Sequence, residues 1–467
     1  MTAIRLKSFR LPWYPAAYLS RPPSMDSPLI NRLPPELLIT IATLTDRSAI
    51  LRLSTVCRYW RDVITGTPTF WTSIDCRNEP YTSILLQRSK SSPIDVTITN
   101  RYVPAAISLV AKHTHRMRSI DLNLHSRQFK DARPLLKEFA PMLETIRMRP
   151  RGDNSLPRSS FFQGEFPALR TLHLEGYSFD LTQSAPIITS GLTTLVLDSG
   201  QYHDRRDLFE CLEHCKSLLH LRIDLPNLEG TIPASHTVYL PKLRELRSVR
   251  SSLSAVRHLS FPPSANLIIE PRVGEYAEAH PLATIWERDG LPQIFELRPI
   301  EDIRITFIGT NWVVTLSGPH LVFAEHVKVN WGNYSGCLDS LRFLPTITAE
   351  VLRFVQPPRC QFPGALQQQS CTRLLRQMPA LKHIIMDDSV AWHLIYALAP
   401  IDGQVPCPEL RSVVVVRREG HRYHLSNLSA LSALSDRRKD HGCPIVCNMG
   451  SARSPNWWQV TQLETVA

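Results

Sequence analysis

The sequence predicts an α/β protein: a short helical module near the N-terminus, then a long solenoid of helix–strand units sharing a parallel sheet. Three observations carry this. Apolar residues recur at helical spacing between 29 and 76. Short Leu/Ile-x-Leu strand signatures then recur through most of the chain at an almost constant interval. Between them lie apolar stripes at helical spacing, closed by prolines.

The first helix opens at Leu33-Pro34-Pro35-Glu36-Leu37-Leu38. Proline fits the first helical turn, and an early acid complements the positive end of the helix dipole. Leu37, Leu38, Ile41 and Leu44 follow at helical spacing, and Asp46 or Thr45 can cap a second helix. Leu53, Val56, Cys57, Trp60, Val63 and Ile64 form a further stripe, which Gly66 and Pro68 end. Phe70-Trp71 adds an apolar anchor beyond it. So small a unit buries little of its own surface and gains by docking on a partner. From periodicity alone, a helical cap on the following domain is the alternative.

Seven strand signatures start at Val96, Ile120, Ile146, Leu172, Leu195, Leu221 and Leu246, with intervals of 24, 26, 26, 23, 26 and 25 residues. That spacing is leucine-rich-repeat-like, and Leu169-Leu172-Leu174, Leu192-Leu195-Leu197 and Leu218-Leu221-Ile223 carry the fuller Leu-x-x-Leu-x-Leu pattern. Leu208, Phe209, Leu212 and Cys215 predict one intervening helix, and Leu135, Leu136, Phe139 and Met142 another. One unit cannot bury its apolar face alone, so units stack, strands on one side and helices outside. Tyr177, Gly200 and Pro226 stand where such repeats carry Asn or Cys, so irregular turns replace the usual loop bonding.

The period breaks between 251 and 299, which reads as an irregular insertion. Strands resume at Ile303, Val327 and Leu352, then at Ile384 and Val413, and His424 to Ser435 suggests a final capping helix. The domain reading is therefore a flexible basic arm at 1–28, the helical module at 29–76, the solenoid at 77–435 and a poorly ordered tail at 436–467. The basic, proline-rich arm lacks the apolar core of a secretory signal, and a mitochondrial presequence is its other reading.

Together, Leu33-Pro34-x-Glu36, the Val56-Cys57-x-x-Trp60-Arg61 run and the late Phe70-Trp71 resemble an F-box. The rest loosely resembles the F-box proteins with degenerate leucine-rich repeats that are abundant in mushroom-forming fungi. The resemblance implies docking on a Skp-type adaptor, and through it on a cullin–RING ubiquitin ligase of the SCF type. The adaptor-facing positions would be Leu33, Pro34, Leu37, Leu38, Ile41, Leu53, Val56 and Cys57. Trp60 and Trp71 can belong either to this face or to the core. Ser48-Ala49-Ile50 departs from the Asp-Leu pair common in the family.

Enzyme chemistry has no support. No phosphate-binding glycine loop, Gly-x-Ser-x-Gly elbow or His-Glu-x-x-His helix occurs. Asp387-Asp388 reads as a solvated turn, and His113 with His115, or His421 with His424, lack companion ligands. Cys443 and Cys447 beside His441 lack the second pair that zinc needs, so neither a metal nor a cofactor is expected. The ten scattered cysteines suit reduced thiols in the cytoplasm or nucleus. The absence of a long apolar run argues against a membrane span. The net charge of +11 is dispersed, which makes nucleic acid an unlikely partner.

The expected function is that of a non-catalytic substrate receptor. Polar positions between the inward leucines would face a protein substrate: Thr171, His173, Glu175, Thr194, Asp198 and Arg222. The insertion around Gly274 to Pro292 is the competing site. A non-degradative F-box scaffold and a basic nucleic-acid-associated repeat protein are the alternative functions.

Overall fold

The structure is a computed structural model. It describes residues 33–151, 162–175, 191–198, 203–224, 228–229, 236–249, 253–256, 258–270, 299–308, 311–328, 338, 348–355, 368–401, 403–417 and 424–451. Two compact units are present, one of residues 1–145 with 164–168, the other of 146–163 with 169–467. Among the described residues, sixteen strands take part in mostly parallel pairing, three in the first unit and the other thirteen in the second. Alternating helices and strands make the protein α/β, as the periodicity predicts.

The first unit opens with α1 (Pro35–Thr43), α2 (Arg47–Leu53) and α3 (Arg58–Gly66). Pro35 occupies the first turn of α1 and Glu36 follows it. Asp46 caps α2, its carboxylate accepting from the backbone N–H of Ala49 at 2.7 Å. Strand β1 (Ser73–Asp75) begins within the residues read as the helical module and pairs in parallel with β2 (Ile94–Thr99), which pairs with β3 (Met117–His125). Ile94, Val96 and Ile98 point inward, and the intervening residues are half-buried, the alternation a strand imposes.

The helix expected through Leu135, Leu136, Phe139 and Met142 does not form. Two short helical turns, Phe129–Ala132 and Arg133–Leu136, bury Leu135 and Leu136, while Phe139 and Met142 stand exposed. Pro134 and Pro141 bring no backbone N–H to the segment, so an uninterrupted helix would lose its bonds.

The second unit contains β4 (Thr145–Arg151), β5 (Thr171–Glu175), β6 (Thr194–Asp198), β7 (His203–Asp204), β8 (His220–Asp224), β9 (Leu228–Glu229), β10 (Val238–Tyr239) and β11 (Glu245–Val249). There follow β12 (Leu259–Ser260), β13 (Asn266–Glu270), β14 (Asp302–Ile308), β15 (Asn311–Gly318), β16 (Leu321–Lys328), β17 (Val351–Val355), β18 (His383–Asp387), β19 (Ser412–Arg417) and β20 (Val446–Ser451). The main order is β4-β5-β6-β8-β11-β13-β16-β15-β14-β17-β18-β19-β20, while β7 with β9 and β10 with β12 form small separate pairs. Leu172, Leu195, Leu221, Leu246 and Leu267 lie opposite one another on five consecutive strands, all buried. Such a ladder is what a fixed repeat length produces when each unit lends its apolar face to the next. The predicted helix around Leu208 runs Arg205–His214 and buries Leu208, Phe209 and Leu212.

Three expectations are corrected here. The period does not stop at 251, because β13 adds a strand in register with β11. It reaches the sheet after a shorter interval (246 to 267) and a Phe261-Pro262-Pro263 turn, which disguised it. The remainder of the expected insertion, 271–298, lies outside the described residues.

The interval from Ile303 to Val327 is not a helix–strand repeat either. β14, β15 and β16 form an antiparallel meander, with β16 joining β13 and β14 joining β17 in parallel. Only two residues of sequence separate β14 from β15 and β15 from β16, and a parallel crossover needs about a dozen residues. Gly318 is required at the second bend, since a Cβ there would collide with the Pro299 carbonyl oxygen.

The stretch 436–451 is ordered rather than an irregular tail. The last helix runs His424–Asp440, and β20 extends the sheet beside β19. Arg438, fully buried, ties the helix down. Its guanidinium donates to the carbonyls of Pro406 at 2.7 Å, Cys407 at 2.8 Å and Leu398 at 3.4 Å. The 1–28 arm and residues 452–467 lie outside the described residues.

Candidate functional site

Helix α1 has two apolar faces, and only one is used internally. Leu38 (2 % exposed) and Ala42 pack within the module, where α1 and α3 meet. Leu37 (49 %), Ile41 (41 %) and Leu44 (84 %) stand on the other side. At about 100° per residue these three lie within roughly 60° of one another, and Pro34 falls on the same stripe. An isolated helix gains nothing by exposing three aliphatic side chains in a row, so the stripe is suited to a partner. Leu51 and Val56 are also exposed on the module.

Of the sequence-predicted docking residues, Pro34, Leu37, Ile41 and Val56 are exposed, while Leu33, Leu53 and Cys57 are half-buried. Leu38 is corrected: it belongs to the module core, because it follows Leu37 by one residue and so points about 100° away. Leu44 and Leu51 are exposed instead. Leu44 was visible in the sequence as one of the recurring apolar residues, but nothing there separated the inner face from the outer.

Trp60 and Trp71 prove to be core residues. Trp71 Nε1 donates to the Ile64 carbonyl at 3.0 Å, and the Arg88 guanidinium lies 4.4 Å from its ring centroid. The Tyr59 hydroxyl donates to the Leu33 carbonyl at 2.7 Å, fixing the entry to α1 against α3. The exposed apolar stripe is thus carried on a braced frame. The Asp46 carboxyl is held below its ordinary pKa, first by the Ala49 N–H and next by the Ser48 hydroxyl.

In the second unit the strand face opposite the leucine ladder is polar and in register. Thr171 lies opposite Thr194, His173 opposite Val196, and Glu175 opposite Asp198. On the next strand, Arg222 lies opposite Val196 and Asp224 opposite Asp198. The structure therefore brings all six sequence-predicted strand-face residues onto one surface. His173 Nε2 sits 2.9 Å from Glu175, and Arg222 reaches Asp198 at 3.9 Å. Burial first, then the Arg147 and Arg149 guanidiniums, hold the His173 imidazole below its ordinary pKa. Arg247, opposite Arg222 on β11, escaped the sequence reading because its repeat carries the weakest signature.

The other candidates are committed to structure. Asp387 and Asp388 are buried, correcting the expected solvated turn. Asp387 caps the Asp388–Ala397 helix by accepting from the Ser389 N–H, and Asp388 accepts from Asn427. The Cys447 thiol contacts the Leu431 carbonyl at 3.6 Å, and His441 Nδ1 pairs with the Arg437 carbonyl. Among the described residues no helix is long and apolar enough to cross a membrane.

The F-box-like family model matches residues 30–77, the stretch that contains α1, α2, α3 and β1. No curated protein matches the chain.

Proposed function

We propose that this protein is the substrate-recognition subunit of an SCF-type ubiquitin ligase. The carrying observation is that the F-box-like match coincides with a helical module whose first helix exposes a second apolar stripe, Pro34, Leu37, Ile41 and Leu44. A Skp-type adaptor covers that stripe together with Leu51 and Val56, and a cullin joins through the adaptor. The half-buried Leu33, Leu53 and Cys57 border the contact.

The second unit holds a protein substrate on its strand face, where Thr171, His173, Glu175, Thr194, Asp198 and Arg222 provide polar contacts in fixed register. Such a receptor performs no covalent chemistry. It raises the effective concentration of a substrate lysine beside the ligase's ubiquitin-charged enzyme, acting by position alone.

The test is capture of the purified Skp-type adaptor by the full chain and by a Leu37→Asp/Ile41→Asp variant. Wild type retains the adaptor at micromolar concentration and the variant does not. Equal capture by both would refute the docking face. Adaptor capture without cullin would favour a non-degradative scaffold.

A further inference from the structure

We infer that the second unit carries the positive charge of its strand face on arginine, which shields the receptor from becoming a substrate of its own ligase. This rests on the receptor reading and deepens it by naming what protects that face from ubiquitin transfer.

The chain has 53 basic residues, of which 10 are lysine and the remaining 43 arginine. Lysine is ordinarily among the commonest residues of a globular protein, so here the charge has moved almost wholly onto guanidinium groups. The strand face shows this most sharply. Arg147, Arg149, Arg222, Arg247, Arg304 and Arg353 alternate with buried residues of β4, β8, β11, β14 and β17. Among the described residues a lysine enters a strand once, as Lys328 at the last position of β16.

The other described lysines of this unit stand off the face. Lys216 follows the Arg205–His214 helix, Lys242 and Lys382 precede β11 and β18, and Lys439 lies in the last turn of the last helix. Two of these four amines are engaged. Lys216 Nζ donates to the Tyr239 carbonyl at 3.2 Å, and Lys382 Nζ reaches Glu350 at 2.5 Å.

Pairing does not account for arginine at every position. Arg353 is 7 % exposed and bound to Asp302 at 3.0 Å, a buried ion pair that favours a guanidinium. Arg222 instead meets Asp198 at 3.9 Å near the surface, a contact an ammonium group would supply as well. Arg147 is exposed.

What separates the two cations is reactivity. A lysine amine that has shed one proton attacks the thioester carbonyl joining ubiquitin's terminal glycine to the charged enzyme. The C–N bond forms, the C–S bond breaks, and a second amine proton passes to the leaving thiolate. A guanidinium stays protonated far above neutral pH and offers no such lone pair. A face that holds a substrate beside that enzyme presents its own side chains there too. Arginine keeps the charge and withholds the amine.

The test is self-modification of the full chain with purified Skp-type adaptor, cullin, RING subunit, activating and conjugating enzymes, ubiquitin and ATP, and no other substrate. Arg147→Lys/Arg222→Lys keeps the charge and adds two amines to the face. It is expected to raise the ubiquitin-modified fraction about threefold or more over wild type, with diglycine remnants mapping to those two positions. Arg147→Gln/Arg222→Gln removes the charge without adding an amine and stays at the wild-type level. Arg376→Lys/Arg437→Lys, at exposed positions of the Gln368–Arg376 and His424–Asp440 helices, gives a smaller rise.

A face variant modified no more than wild type overturns the inference. So does an equal rise from the helix variant, or any rise from the Gln variant. Adaptor and cullin capture is read on the same samples. Intact capture with no rise sinks this inference alone, whereas failure of wild-type capture sinks the receptor reading and this inference with it.

Discussion

Leu37 and Leu38 are neighbours in sequence, yet the structure exposes one and buries the other, and truncating each to alanine separates the proposed docking role of Leu37 from the core role of Leu38. Leu38 is 2 % exposed inside a three-helix module. Removing a buried leucine side chain costs roughly 2–4 kcal/mol, a large share of what so small a core supplies. Leu37 is 49 % exposed, so Leu37→Ala leaves the fold nearly unchanged. Half of a leucine's burial energy, about 1 kcal/mol, is instead lost on docking, and Ile41 at 41 % exposure contributes a similar amount. Leu37→Ala/Ile41→Ala should therefore weaken adaptor binding by about 2 kcal/mol, about thirtyfold in Kd. Calorimetric titration with purified adaptor reads the binding, and amide exchange across α1 to α3 reads the fold. Leu38→Ala should lose exchange protection throughout the module. If Leu38→Ala keeps native protection while Leu37→Ala loses it, the inner and outer faces of α1 have been exchanged and the docking surface is misassigned.

Arg438→Met should cost about 3 kcal/mol, because three buried carbonyls lose a charge-assisted donor, and exchange in β20 should rise by about two decades while α1 to α3 are unaffected. Leu195→Asp places an unpaired charge in the leucine ladder, so limited proteolysis should open the region from Leu172 to Leu221, and a wild-type cleavage pattern would show that Leu195 faces no core. The Asp46 cap gives an acid-dependent step. Its folded pKa lies below the unfolded value of 3.8, so its stabilisation is present above that value and is lost as pH falls through the lower folded one. Asp46→Asn retains a cap but should abolish that step in an acid melt of α2 followed by amide exchange.

Much of the fold was legible because two regularities are physical requirements. A stack of units must repeat its inward leucines at a near-constant interval, so strands at Val96, Ile120, Ile146, Leu172, Leu195, Leu221 and Leu246 were readable. Misreadings arose where another device replaced the repeat. The β14–β15–β16 meander keeps a 24-residue spacing from Ile303 to Val327 by coincidence, and the short sequence separation of its strands was the missed signal. The ordered end escaped because Arg438 is a buried charge held by backbone carbonyls, a role its polar sequence context hides. The exposed apolar stripe of α1 was legible as a set of apolar residues. Assigning Leu38 inward and Leu44 outward required knowing where α3 packs, which the sequence of one helix does not contain.

The central claim is tested most directly by light scattering on a size-exclusion column, loading the full chain with purified Skp-type adaptor and cullin. The account predicts one peak whose mass corresponds to a single copy of each, and a Leu37→Asp/Ile41→Asp variant that elutes apart from an intact adaptor–cullin pair. Elution of the wild-type chain apart from the adaptor at micromolar concentration would contradict it.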